Sequence, residues 1–236
     1  MKIGLVSYEC RNRDVPFNLK QIERALKETE GKADLLCFGE AYLQGFDSLC
    51  WDYETDKNMA TDLNSEIVSQ LCRWSVEYNT AILTGYIEKD QEELFSSCMA
   101  ISQGKVIHNY RRISKGWKEY DKTDNHYKEG SEVNTFNCNG KEIMISLCGD
   151  LWDYPERFKT DGLLIWPVYL SISVDEWQKW GLEEYAKQAG TVASEALMIN
   201  PIDHDPQNHG GSCYFREGEL IEKTEYDEEE ILLVEI

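Results

Sequence analysis

Short apolar segments alternate with amphipathic segments of helical period in the first third of the chain, and this pattern restricts the fold more than any other feature. Segments 3–8 and 33–38 are apolar runs of strand length. Segments 18–29 and 65–78 instead repeat apolar residues at the spacing of one helix face. Strand–helix units of this kind predict a β-sheet that is covered by helices.

The rest of the chain is richer in strands that follow one another directly. Segments 81–87, 94–101 and 105–112 are predicted as consecutive strands, and the turns at Gln103-Gly104 and Asn139-Gly140 predict hairpins. The other predicted elements are strands over 135–139, 142–147, 163–168, 196–199, 211–215, 220–223 and 231–235, and a helix over 176–189. Helical units combined with hairpins imply mixed sheets. We therefore predict an α+β fold, a four-layer α-β-β-α sandwich of two mixed β-sheets, with residues 1–236 as a single domain.

Charge and cysteine usage exclude several classes of function. The formal net charge of −20 disfavours binding to nucleic acids and to anionic membrane surfaces. No apolar run approaches the length of a membrane span, and the N-terminal apolar segment turns polar at Glu9, too early for a signal peptide. The eight cysteines form no C-x-x-C pair and no zinc-binding spacing. These features predict a cytoplasmic protein with free thiols.

Chemically useful side chains follow three of the predicted strands. Glu40 comes directly after an apolar run, where partial burial would make its carboxylate a better base. Cys148 ends another apolar run and precedes Gly149, whose turn would expose the thiol and free backbone N–H groups. A cationic cluster that includes Arg112 and Lys115 follows the strand 105–112. Taken singly, each has a simpler interpretation: a solvated glutamate, a buried structural cysteine or a basic surface loop.

Taken together and in this order, the three segments resemble the nitrilase superfamily of carbon–nitrogen hydrolases. The most specific part of the resemblance runs from Cys148-Gly149-Asp150 to Tyr154-Pro155-Glu156, and Tyr110-Arg111-Arg112 stands where that family has a strand end followed by lysine. The likeness extends over nearly the whole chain. The fold that it implies is an α-β-β-α sandwich, in agreement with the pattern of strands and helices.

The resemblance implies a role for each candidate site residue. Cys148 would be the nucleophile and Glu40 its general base. The position of the family's lysine holds Arg112, so we expect Lys115, the nearest lysine downstream, to stabilise the oxyanion, with Arg112 as the alternative. Glu119 is expected to be the second glutamate, which positions the substrate. Large aromatic residues beside these segments are expected to line the pocket: Tyr42, Trp117, Tyr120, Trp152 and Trp166.

The implied reaction is hydrolysis of a small amide or carbamoyl substrate through a cysteine thioester, with release of ammonia or an amine. Nitrile hydrolysis is a third possibility within the superfamily. The resemblance implies no metal ion or organic cofactor, and by analogy it implies a homodimer. Because Arg112 replaces the lysine, the alternative is a catalytically impaired binding or regulatory protein. A serine hydrolase or a metallohydrolase is disfavoured, because the sequence lacks G-x-S-x-G and H-E-x-x-H.

Overall fold

Two six-stranded β-sheets organise the chain in the computed structural model, which describes residues 1–204 and 207–236. In spatial order, the strands of the first sheet are β14 (Glu230–Glu235), β1 (Lys2–Ser7), β2 (Leu35–Cys37), β3 (Ala81–Asp90), β4 (Glu93–Ser102) and β5 (Lys105–Arg111). Those of the second sheet are β13 (Glu219–Lys223), β12 (Cys213–Arg216), β9 (Glu195–Ile199), β8 (Leu163–Pro167), β7 (Lys141–Ile145) and β6 (Phe136–Cys138). A separate two-stranded antiparallel sheet pairs β10 (Ile202–His204) with β11 (Gln207–His209).

Both sheets are mixed. Strands β1, β2 and β3 are parallel neighbours, as are β7, β8 and β9, whereas the outer pairs of each sheet are antiparallel. The prediction of an α+β sandwich with two mixed sheets is confirmed.

Helices cover the outer faces of the sheets. Their bounds are α1 (Val15–Glu28), α2 (Tyr53–Asp56), α3 (Glu66–Glu77), α4 (Asp150–Asp153), α5 (Val174–Glu176) and α6 (Leu182–Gly190). The two longest helices begin at side-chain caps, since Asp14 accepts from Phe17 N–H and Ser65 accepts from Val68 N–H. In the described part of the chain, no helix combines the length and the apolar character needed to cross a bilayer.

Alternate side chains of a strand contribute to two different layers of the hydrophobic core. In β1, Ile3 and Leu5 join the cluster that lies between the two sheets. Val6 faces the other way and joins the cluster under α1 and α3, together with Ile22 and Leu71. Successive side chains of a strand point to opposite faces, so one strand supplies both layers of the core.

The turns at Gln103-Gly104 and Asn139-Gly140 have the predicted hairpin geometry. Both residues of each turn have positive φ, 50° and 80° in the first turn and 51° and 83° in the second. This is the conformation that matches the twist of adjacent antiparallel strands.

The region predicted as one helix over 176–189 differs from that expectation. Regular α6 begins only at Leu182, and Trp177–Gly181 forms a π-helical turn before it. The Trp177 ring lies against Gly181, where an added Cβ would approach Trp177 Cε3 to 2.4 Å. Packing of this ring against the helix backbone accompanies the widened turn, which the apolar period of the sequence does not reveal.

Candidate active site

Glu40 lies at a turn that follows β2 and reaches across to the second sheet. Its N–H donates to Val168 O at 3.3 Å, and Ala41, the next residue, has a φ of 48°. Gly85 lets this turn lie directly on β3, because a Cβ at Gly85 would be 2.8 Å from Glu40 Cα. The Glu40 side chain is 1% exposed. A carboxylate is thus held in the interior, where the two sheets meet.

Cys148 lies at a strained turn that follows β7. Its φ is 39°, a conformation that is rare for a residue with a side chain. Its N–H donates to Pro167 O at 3.0 Å, and its own carbonyl accepts from Trp166 Nε1 at 2.9 Å. The carbonyls of the consecutive residues Pro167 and Val168 therefore fix the backbone of Cys148 and of Glu40, respectively.

Arg112 is the cation that contacts Glu40. Its N–H donates to Ser96 O at 2.9 Å, and Ser96 Oγ donates to Glu40 Oε1 at 3.2 Å. Arg112 Nη1 lies 2.8 Å from the same carboxylate oxygen, and Arg112 Nε donates to Ser114 Oγ at 2.7 Å. Arg112 is 3% exposed, so this ion pair is buried.

Lys115 and Glu119 lie away from this cluster, contrary to the positions expected for them. Lys115 is exposed, and its Nζ lies 5.6 Å from the centre of the Tyr120 ring. Glu119 is also exposed and forms an ion pair with Lys122 at 3.0 Å. The reason is local: Arg112, the first residue after β5, points inward, and the chain turns outward after Ser114, so Lys115 and Glu119 face solvent although Trp117 between them is buried.

Asp150 ties the turn of Cys148 to the segment of Arg112. It is fully buried and accepts from Leu147 N–H at 2.8 Å, from Ser114 N–H at 2.8 Å and from Ile113 N–H at 3.2 Å. Tyr110 Oη also donates to it, at 2.6 Å. A buried carboxylate with four donors is a strong local constraint, and it holds the two segments in register.

The charges around Cys148 favour its neutral thiol. Burial and then the Glu40 carboxylate raise the pKa of Cys148 to about 12, against the lowering effect of Arg112 and of the Tyr169 backbone. Burial alone would lower the pKa of Arg112, but Glu40, Cys148 and Asp150 raise it above its ordinary value, so the guanidinium stays charged. The resting arrangement is therefore a thiol beside a carboxylate–guanidinium pair.

Three groups at this point are available to a bound molecule. Glu40 Oε2 is buried and has no hydrogen-bond partner among the described residues. Gly149 N–H and Arg112 Nη2 likewise make no hydrogen bond within residues 1–204 and 207–236. An added Cβ at Gly149 would lie 2.7 Å from Arg112 Nη2, so the glycine makes room for the guanidinium. Two donors and one acceptor thus remain near the thiol.

The five aromatic residues expected around the pocket occupy different surroundings. Tyr42 is fully buried under the helices of the first sheet, with its hydroxyl bonded to Glu9 O, and Trp117 is buried in a separate cluster. Tyr120 lies in the exposed loop, at 47% exposure. Of the five, Trp166 contacts Cys148 through its indole N–H, and Trp152 packs against Trp166.

Sequence reasoning missed Ser96, Ser114 and the part played by Asp150. Ser96 interrupts an apolar strand, and Asp150 begins a segment whose carboxylate is entirely buried, so each had a weak signal as a polar residue in apolar surroundings. Ser114 had none.

Comparison with known proteins identifies the family. The sequence model of the carbon–nitrogen hydrolase family matches residues 2–157, which is more than half of the chain. The chain belongs to the carbon–nitrogen hydrolase family, and the resemblance to the nitrilase superfamily is confirmed.

Two relatives each match about two thirds of this chain. An (R)-stereoselective amidase from Pseudomonas sp. is 25% identical over 156 residues, which is 66% of this chain and 54% of the amidase. A glutamine-dependent NAD(+) synthetase from Thermotoga maritima is 23% identical over 155 residues, 65% of this chain and 26% of the synthetase. The match thus spans about half of one relative and a quarter of the other.

Solved structures agree in fold over essentially the whole chain. A CN-hydrolase superfamily protein from Xanthomonas campestris, solved with an arsenic adduct in its active site, has a TM-score of 0.80 at 17% identity and covers 99% of this chain and 89% of its own. The amidase from Nesterenkonia sp. AN1 has a TM-score of 0.79 at 17% identity, with 100% and 90% covered. At this identity the likeness establishes the fold.

Proposed function

We propose that the chain is a cysteine-dependent amidohydrolase that cleaves a small amide or carbamoyl substrate through a thioester, with Cys148 as nucleophile and Glu40 as general base. The observation that carries this proposal is the convergence of three distant segments: Arg112 pairs with Glu40 in the interior, and its Nη2 lies against Gly149, the residue after the half-buried Cys148. Family membership and the amidase among the relatives support it.

In the first half of the reaction, Glu40 takes the thiol proton as Cys148 Sγ attacks the carbonyl carbon. Proton transfer must accompany attack, because a thiol with a pKa of about 12 is almost entirely un-ionised at neutral pH. The unpartnered Glu40 Oε2 is the acceptor. Negative charge then develops on the carbonyl oxygen, and Gly149 N–H and Arg112 Nη2 are the donors available to stabilise it. Each such donor is typically worth about 2.7–4 kcal/mol of the barrier.

In the second half, the proton held by Glu40 passes to the leaving nitrogen, the C–N bond breaks, and ammonia or an amine departs. Water then gives a proton to Glu40 and attacks the thioester carbon. Collapse of this second tetrahedral species breaks the C–S bond and returns the proton to Cys148 Sγ. The products are a carboxylic acid and the free enzyme.

In this proposal Arg112 takes the part that the sequence led us to expect of Lys115. An arginine fills the role differently from a lysine, because one face of its fork pairs with Glu40 while Nη2 remains for the substrate. The proposal assigns Glu119 no part in the reaction, since its carboxylate is exposed and paired with Lys122.

The test is ammonia release from a panel of small amides, carbamoyl compounds and nitriles, with Cys148→Ala as the control. Glutamine belongs in the panel, because one relative is named as a glutamine-dependent synthetase. Activity that depends on Cys148 supports the proposal, and the substrates cleaved identify the bond type. Release that persists in Cys148→Ala contradicts it.

A catalytically impaired binding protein is the second candidate, and Arg112 is the observation that favours it. If arginine holds Glu40 too firmly for proton transfer, the panel gives no ammonia, yet the amides still bind near Cys148. Protection of Cys148 from alkylation by an uncleaved amide distinguishes this case. Assembly as a homodimer and a cytoplasmic location remain predictions, to be tested by sedimentation and by localisation of a tagged chain.

A further inference from the structure

Four aromatic rings form a continuous cluster on one side of Cys148, here called the aromatic wall: Trp152, Trp166, Trp177 and Tyr185. Tyr185 is its centre. The Tyr185 ring stacks on Trp166 with 5.0 Å between centroids and an angle of 17°, and it meets Trp152 and Trp177 edge-on at 5.1 and 4.8 Å. Such pairs fix ring orientation, so the wall is a rigid surface.

The aromatic wall lies directly beside the nucleophile. Trp166 donates to the carbonyl of Cys148 at 2.9 Å, and Trp152 belongs to α4, four residues after the cysteine. Burial raises the pKa of Tyr185, and the charges of Cys148 and, more weakly, Glu40 raise it further, which agrees with a phenol close to both groups.

The members of the wall differ sharply in accessibility. Trp166 and Trp177 are 0% and 5% exposed, whereas Trp152 is 42% exposed although it packs against Tyr185. Trp166 and Trp177 therefore support the wall from behind, and Trp152 presents free aromatic surface on the helical turn that follows Cys148. Exposed aromatic surface with a fixed orientation is unusual outside binding sites.

We propose that Trp152 and Tyr185, backed by Trp166, form the subsite for the acyl group, and that the substrates are aryl or heteroaryl carboxamides. This inference rests on the proposed amidohydrolase function. The group that stays attached to Cys148 Sγ after ammonia leaves is the acyl group, so it is the part of the substrate that must lie against the residues nearest the thiol. A flat acyl group that stacks on Trp152 buries the facing surfaces of both rings, which an aliphatic chain does not do.

The experiment compares benzamide with propanamide as substrates, using the ratio of their kcat/KM values. Trp152→Leu keeps apolar volume but removes the ring, and we expect it to lower the ratio by about 2- to 12-fold, the worth of one aromatic pair. Trp180→Leu is the matched control, since Trp180 is 40% exposed on the neighbouring π-helical turn and is in no ring pair of the described chain. Its ratio should equal that of the wild type.

A second pair of variants separates stacking from structural damage. Tyr185→Phe retains the ring and should retain the ratio, whereas Tyr185→Leu should lower it. These two variants decide the question if Trp152→Leu does not fold. The proposal is overturned if the ratio is unchanged in both Trp152→Leu and Tyr185→Leu. It is also overturned if Trp180→Leu changes the ratio as much as Trp152→Leu does.

Failure of the proposed hydrolysis is distinguishable from failure of the subsite. If the wild type cleaves neither amide, binding is read from the rate at which iodoacetamide alkylates Cys148 in the presence of each amide. Stronger protection by benzamide, lost in Trp152→Leu but kept in Trp180→Leu, supports the aryl subsite without catalysis. Equal protection by benzamide and propanamide overturns it.

Discussion

Replacing Glu40 with glutamine should change alkylation of Cys148 and amide hydrolysis in opposite directions. The carboxylate raises the thiol pKa, whereas Arg112 lowers it. Neutralising Glu40 leaves the cation unopposed, and a charge at this range typically moves a pKa by about 1 to 3. The pKa of Cys148 should therefore fall from about 12 to roughly 9–11.

The size of the effect on alkylation follows from two opposing factors. Well below the pKa, a decrease of about 1 to 3 multiplies the thiolate fraction by about 10 to 1000. A less basic thiolate is also a poorer nucleophile, with a Brønsted slope of about 0.4–0.5. The net increase in alkylation rate at pH 8 is about 3- to 60-fold. Hydrolysis loses its general base and should fall by about 10²- to 10⁴-fold.

The assay is iodoacetamide labelling between pH 6 and 11, resolved for each cysteine by mass spectrometry. The exposed thiol of Cys50 serves as an internal reference for the reagent. The midpoint of the Cys148 profile should lie at lower pH in Glu40→Gln than in the wild type, because the thiolate is the reactive form and its pKa has fallen.

Glu88→Gln is the matched control. Glu88 is also 1% exposed and pairs with Arg111 at 2.6 Å, so both variants neutralise a buried carboxylate that pairs with an arginine at the end of β5. Glu88 is not among the groups that shift Cys148. Its replacement should reduce stability and leave the alkylation profile unchanged. Slower alkylation of Cys148 in Glu40→Gln would refute the electrostatic reasoning, since it would mean that Glu40 already ionises the thiol in the free protein.

Three further substitutions test the surroundings of the site. Gly149→Ala should reduce hydrolysis strongly when Arg112 is present, because the new Cβ meets the guanidinium, and much less in an Arg112→Lys background. Equal losses of kcat/KM in the two backgrounds of this double-mutant cycle would contradict the steric account. Asp150→Asn turns an N–H donor towards backbone N–H groups, so it should lower the free energy of unfolding, measured by urea denaturation, by about 2–4 kcal/mol. A loss under about 1 kcal/mol would contradict this role of Asp150. Ser7→Ala leaves buried partners of its hydroxyl, such as Ser212, without one hydrogen bond, and should lower the free energy of unfolding by about 1–3 kcal/mol while hydrolysis is unaffected. Thermal unfolding measures this loss, and an unchanged stability would contradict the importance of this network.

The strands and the ends of strands were predictable because their signals are local. The apolar run 33–38 followed by Gly39-Glu40 indicates the end of a strand by composition alone, and so does the apolar run that ends at Cys148. Hairpin turns with glycine at a position of positive φ belong to the same class. In each case the physical cause lies within a few residues of its effect.

The cation of the site was not predictable by counting residues from the strand. A shift of one position reverses the face on which a side chain lies. Whether the chain then turned inward at Lys115 or outward after Ser114 depended on Asp150, which lies 36 residues further along and fixes Ser114 N–H. The aromatic wall escaped prediction for a similar reason, since Tyr185 joins it through an irregular helix start.

The contrast between Arg111 and Arg112 shows what the buried pair at the site is for. The two arginines are adjacent, and each pairs with a glutamate that is 1% exposed. Arg111 is 30% exposed at its side chain, and Glu88 accepts from it and from Ser97 and Asn109, so that pair is fully satisfied. Arg112 is 3% exposed and pairs with a carboxylate that keeps one oxygen unpartnered.

A buried ion pair with an orphaned acceptor costs stability that apolar side chains would not, because neither desolvated group is fully compensated. Glu40 lowers the stability of the fold in this way at the position where the thiol needs a proton acceptor and the developing oxyanion needs hydrogen-bond donors. Filling the orphaned oxygen from within the protein would stabilise the fold and remove the base. The missing hydrogen bond at Glu40 Oε2 is therefore the structural counterpart of the proposed proton transfer from Cys148.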